Sequence, residues 1–124
     1  MENAIKPLQL PQSYVGVLAT QQGLPGLVVS SLRYGKTIDI KQVTAVAVPP
    51  GQALHLWRID KNQQASWLGP IPQEKFGRLT IQETADQVFF TAVELAVSVE
   101  PSGTTPAQPS QPFVYRGLCG KIWK

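Results

Sequence analysis

Residues 94–100, Glu94-Leu95-Ala96-Val97-Ser98-Val99-Glu100, alternate with a period of two. Leu95, Val97 and Val99 share one side of an extended chain, and Glu94, Ala96, Ser98 and Glu100 share the other. Successive side chains of a strand point to opposite faces, whereas a helix would repeat every 3.6 residues. The pattern therefore predicts a strand. Pro101 follows it, and with no N–H to extend the ladder it predicts the strand's end.

The same period recurs upstream. Tyr14 to Ala19 and Gly26 to Arg33 are strand candidates, separated by the turn Gln21-Gln22-Gly23. Tyr34-Gly35-Lys36 is a tight-turn signal, and Thr37-Ile38-Asp39-Ile40-Lys41 alternates again, with Ile38 and Ile40 facing in. Ala53 to Asp60 is apolar on both sides of the pleat, which predicts a central strand covered on both faces. Lys61 to Gln64 reads as a polar hairpin turn, Ala65 to Leu68 as a short return strand, and Arg78 to Ile81 as another. Residues 82–92 leave a helical turn, a loop and a strand open.

Downstream, residues 101–112 hold Pro101, Pro106, Pro109 and Pro112 among Ser, Thr, Gly and Gln. That composition predicts a solvated loop of polyproline character. Phe113 to Arg116 is the last strand. About eight strands at regular spacing, without a long helix or an internal repeat, predict an all-β antiparallel β-sandwich with Greek-key-like connections. Residues 1–12 read as an extended N-terminal arm, 13–118 as the β-sandwich domain and 119–124 as a basic tail.

A chain of 124 residues, 43% of them apolar, fits one self-sufficient domain. Its net charge of +3 is confined to one end. All eight acids and eight of the eleven bases precede residue 101, so the excess is Arg116, Lys121 and Lys124. A neutral body argues against a nucleic-acid partner, which usually meets a basic face. The one cysteine, Cys119, permits neither an internal disulfide nor a thiolate cluster. No signal peptide or membrane-length apolar run is legible, which taken alone predicts a cytoplasmic protein.

Few residues invite chemistry. His55 is the only histidine, set mid-strand between Leu54 and Leu56. One His and one Cys, 64 positions apart, do not make a metal site. Glu94 and Glu100 lie about 20 Å apart on one strand, too far for a paired-carboxylate mechanism. Gly23-Leu24-Pro25-Gly26 is turn chemistry rather than a phosphate loop, since Pro25 removes a donor. The expectation is no enzyme, no catalytic or metal-binding residue and no cofactor. Trp57 and Trp67 flank the 61–64 turn and read as core packing or, with Tyr115, as an aromatic ligand platform. Trp123, in Lys121-Ile122-Trp123-Lys124, is a candidate interaction residue at a strand end or a membrane interface.

Several segments in order resemble the anti-sigma-K factor family's extracytoplasmic C-terminal domain. They are Tyr14-Val15-Gly16-Val17-Leu18 with Gly26-Leu27-Val28-Val29, the turn and strand Pro50-Gly51-Gln52-Ala53-Leu54-His55-Leu56-Trp57-Arg58-Ile59, and Trp67-Leu68-Gly69. Leu95-Ala96-Val97-Ser98-Val99-Glu100-Pro101-Ser102-Gly103 and Phe113-Val114-Tyr115-Arg116-Gly117 complete the set. The resemblance covers roughly residues 13–118 and assigns Trp57, Glu100 and Pro101 to structural motif positions. A buried Glu100 would then need a partner, Arg58 or backbone donors of the following loop. The resemblance implies the periplasmic or extracellular portion of a single-span membrane protein. Its cytoplasmic domain, outside this chain, would bind an extracytoplasmic-function sigma factor that regulated proteolysis releases. Implied partners are a protease, other envelope proteins or a second copy, with the membrane reached through a helix outside the chain. The alternative from another class is a small-molecule or carbohydrate-binding β-sandwich using Trp57, Trp67 and Tyr115.

Overall fold

Eight strands form in the computed structural model of the protein, which describes residues 11–32, 35–43, 48–82, 87–88, 92–110 and 112–123. They are β1 (Pro11–Ala19), β2 (Pro25–Leu32), β3 (Thr37–Gln42), β4 (Gln52–Ile59), β5 (Ala65–Pro70), β6 (Phe76–Thr80), β7 (Glu94–Pro101) and β8 (Tyr115–Trp123). Each of the eight predicted strands has a counterpart, but the last lies at Tyr115–Trp123 rather than 113–116, so residues 119–123 of the predicted basic tail are strand. Gln87 and Val88 have helical backbone, and the Ala92 N–H donates to the Val88 carbonyl at 3.1 Å. Of the three readings left open for 82–92, the helical turn is the one seen there. Arg33, Tyr34 and residues 1–10 of the predicted N-terminal arm lie outside the described residues, while Pro11 and Gln12 of that arm belong to β1.

All eight strands belong to one antiparallel sheet, in the order β5-β4-β7-β8-β1-β2-β3-β6. The edge strands β5 and β6 then meet, with the Leu79 side chain lying 2.6 Å from where a Cβ on Gly69 would stand. The architecture is thus a nearly closed single sheet rather than two stacked ones. A strongly twisted sheet of this many strands curls until its own faces pack, so one sheet can enclose a core.

That core lies inside the curl. It is built from the inward set of each strand, among them Tyr14, Leu18, Leu27, Val29, Ile38, Ile40, Leu54, Leu56, Leu95, Val97 and Tyr115. A second cluster, Trp57, Ile59 and Ala96, lies on the opposite face of β4 and β7 and is joined by the half-buried Trp67 and Phe113. The predicted two-sided burial of the Ala53–Asp60 strand is therefore real. On β7 the alternation of residue type persists, yet Ala96, Ser98 and Glu100 are as buried as Leu95 and Val97. The Pro-rich segment explains why. It leaves β7 at Pro101, which pairs with Gln52, and returns to β8 at Tyr115, which pairs with Val97. Between those points it crosses the outer face of β7 and β4 as a strap, with Phe113 packed on the Trp57 cluster. The strap's residues are mostly exposed, as their composition predicts, while its underside closes the sheet.

Candidate functional site

Antiparallel register places His55 opposite Ser98, Trp57 opposite Ala96 and Ala53 opposite Glu100. These side chains share the outer face of the pleat, so His55, Trp57, Ser98 and Glu100 collect under the strap. The Trp57 indole N–H donates to Ser98 Oγ at 2.8 Å, and the Ser98 hydroxyl donates to Glu100 Oε2 at 2.7 Å. Ser110, on the strap, donates its N–H to Oε2 at 2.9 Å and its hydroxyl to Oε1 at 2.6 Å. One buried carboxylate thus ties the strap to β7 and, through Ser98, to the Trp57 indole. Loop backbone, one of the two partners expected for a buried Glu100, supplies one of these bonds.

His55 is fully buried beside this chain. Its Nδ1 accepts the Trp67 indole N–H at 2.7 Å, the rings tilted with centroids 6.0 Å apart. Accepting there requires a lone pair on Nδ1, so the neutral tautomer carries its proton on Nε2. Nε2 has no partner of normal geometry, although the Pro101 carbonyl is nearby. Burial pushes the His55 pKa down, and the Glu100 charge and the Pro101 carbonyl only partly oppose that shift. For Glu100, burial is the largest influence and pushes its carboxyl up. The Ser110 hydroxyl and N–H, the Ser98 hydroxyl and His55 together outweigh it, and the net pKa is lowered.

Both shifts make acid destabilising. In the unfolded chain His55 takes up its proton near pH 6.5 and Glu100 near 4.3. The folded form of each binds the proton only at lower pH, so the unfolded chain holds more protons across each window and stability falls with pH. Urea unfolding should therefore show a first loss as pH drops below about 6.5 and a second below about 4.3. Glu100→Gln should flatten the second loss while the first remains. Ser110→Ala removes the hydroxyl bond to an ionised carboxylate, worth about 1.5–3 kcal/mol. The expected readout is a lowered denaturation midpoint with an unchanged sheet signature in circular dichroism.

Chemically, this cluster holds structure. Glu100 and Ser98 have their polar atoms engaged with one another, with Trp57 and with Ser110. Among the described residues no group of three His, Cys, Asp or Glu side chains could hold a metal ion. Trp57 and Tyr115 are buried on opposite faces of the sheet, and only Trp67 is partly exposed, so the three rings share no surface. Burial pushes the Tyr115 phenol up, as expected of a core tyrosine. Trp123 is the last residue of β8, whose backbone pairs with Pro11 of β1, so strand pairing continues through Trp123. Pro101 ends β7. Ser98, Ser110 and the His55–Trp67 pair were not singled out from sequence. Parity on β4 and β7 held the signal for His55 and Ser98, which stand two residues from Trp57 and Glu100 respectively. Nothing local marked Ser110.

Clefts occur elsewhere. One of about 430 Å³ lies between the strap and the β4–β5 turn, lined by Gln63, Gln64, Gln108, Pro109, Phe113 and Arg116. Gln63 there has φ 65°, a left-handed conformation that only Gly adopts freely. Asp60 organises this turn by accepting the Asn62 and Gln64 N–H groups on Oδ1 at 2.9 and 3.0 Å.

The described residues thus form an all-β domain whose buried polar groups fasten its own loop. The chain belongs to the family described as anti-sigma-K factor rskA, C-terminal, which matches residues 3–113. Comparison with curated proteins and with solved structures gave no match. The family is a regulatory one, and sigma-factor interaction is implied through a different domain. No helix among the described residues is long and apolar enough to cross a membrane.

Proposed function

We propose that this domain is the extracytoplasmic regulatory part of a membrane-anchored anti-sigma factor, and that its folded state governs release of the sigma factor by regulated proteolysis. The family match over residues 3–113 carries the reading. A physical argument supports it. Cleavage of a chain needs an extended, accessible backbone, and a cooperatively folded sheet withholds it. The 13–118 unit, with the strap latched at Glu100, would hold adjoining chain out of reach until a signal or a protein partner loosens it. Contact with a protease or other envelope protein would act on the folded domain, while the sigma factor is bound elsewhere in the parent protein.

The test is a sigma-dependent reporter in cells carrying the parent protein. A destabilised domain, made by Trp57→Ala, is expected to raise reporter output severalfold, with faster turnover of the anti-sigma factor. Unchanged output with a demonstrably unfolded domain would overturn the proposal.

A further inference from the structure

The strap covers one outer face of the sheet, and among the described residues no segment crosses the other outer face. On β8, β1, β2, β3 and β6 the outward positions line up in one row. Leu118 lies beside Val17, Val17 pairs with Val28, Val28 with Lys41, and Lys41 with Phe76. Leu118 is 71% exposed, Val17 50% and Phe76 66%. Val28, on β2 between Val17 and Lys41, is half-buried in the same row. Three of the six large apolar side chains exposed among the described residues therefore share one surface. Such concentration marks an interaction site rather than ordinary scatter.

The row has a relief. Leu118 and Val17 stand proud at the β8–β1 end. At the β2–β3–β6 end lies a shallow depression of about 870 Å³, lined by Val28, Lys41, Phe76 and Arg78 among others. The two features sit about three strand spacings apart, roughly 14 Å. A two-fold axis through the β1–β2 region would seat the Leu118 knob of each copy in the depression of the other. That reciprocity is what an isologous dimer requires.

Charge points the same way. Arg78 pairs with Asp39 at 2.8 Å, and the Lys41 ammonium lies 5.7 Å from the centre of the Phe76 ring. With Glu74 at its edge, the depression holds two cations and two anions and has no net charge. It neither repels a second copy nor attracts an anionic surface. Five strands and three side-chain rows give a footprint of roughly 25 by 20 Å, or about 1,000 Å² for two copies. That is the lower limit of a specific interface and fits a reversible dimer.

We infer that this outer face of β8-β1-β2-β3-β6 is a homodimer interface, in which Leu118 of each chain enters the depression beside Phe76 of the other. The inference rests on this face alone and stands whether or not the domain gates proteolysis. Sedimentation of the 124-residue chain over a range of concentrations should show a monomer–dimer equilibrium. Leu118→Lys places a further cation against Lys41 and Arg78 and should weaken dimerisation tenfold or more at unchanged melting temperature. Val17→Lys, on the strand next to Val28 at the depression's rim, provides a second variant should the first disturb folding. In a Cys119→Ser background, a mixture of Leu118→Cys and Phe76→Cys chains should cross-link to each other faster than either does to itself. A monomer at every concentration overturns the inference. So does a dimer indifferent to both lysine substitutions, or binding to phosphatidylcholine vesicles in place of self-association.

Discussion

Trp57→Ala should remove about 4 kcal/mol of stability, a large share of the 5–15 kcal/mol typical of a domain. The indole is fully buried and anchors the cluster of Ile59 and Ala96, with Trp67 and Phe113 against it. Truncation leaves a cavity that the surrounding strands cannot close, because β4 is held by β5 on one side and β7 on the other. It also removes the donor to Ser98, whose hydroxyl is one of the bonds holding Glu100. Trp57→Phe keeps most of the volume and loses that bond, so it should cost clearly less. Chemical denaturation of the two variants checks the difference. Equal losses would show that the Ser98 bond, rather than packing, dominates.

The second large effect is expected at a glycine. A Cβ on Gly117 would stand 2.1 Å from the Val17 carbonyl oxygen and 2.9 Å from the Leu18 Cα. Both are backbone atoms of β1, so no rotamer change relieves the clash. Gly117→Ala must prise β8 from β1 at the middle of the sheet, and we expect a loss of about 3 kcal/mol or more. Gly26 is the useful contrast. A Cβ there would come within 2.2 Å of Tyr115 Cε1, an equally severe overlap, but with a side chain that can rotate. Gly26→Ala should therefore cost less than Gly117→Ala, with a change in the tyrosine environment visible in near-ultraviolet circular dichroism. A Gly117→Ala domain as stable as the parent would show that β1 and β8 can separate there without consequence.

The strands were legible because each carries its own period. Ile38 and Ile40 against Asp39 and Lys41, or Leu95, Val97 and Val99 against their neighbours, need no tertiary knowledge to assign. The two-faced Leu54-His55-Leu56-Trp57 run was legible for the same reason, since apolar residues on both sides of a pleat imply two covers. The strand pairing across the strap was not. Whether eight strands stack as two sheets or curl as one depends on twist and on where β5 and β6 end, and Gly69 against Leu79 decides that contact only in three dimensions. The site divides the same way. Glu100 was marked by its motif and by the need for a partner if buried. Ser110 lies ten residues away on a loop whose composition says only that it is solvated.

By itself, then, the sequence determined an all-β chain, the positions of its first seven strands to within a few residues and a resemblance that the family match bears out. These are local properties, set by side-chain alternation, proline placement and ordered motifs. Tertiary structure alone decided that the sheet nearly closes, that the strap buries His55, Trp57 and Glu100 on one outer face, and that Leu118, Val17 and Phe76 are exposed together on the other. Those outcomes follow from register and curvature, which bring together residues on separate strands.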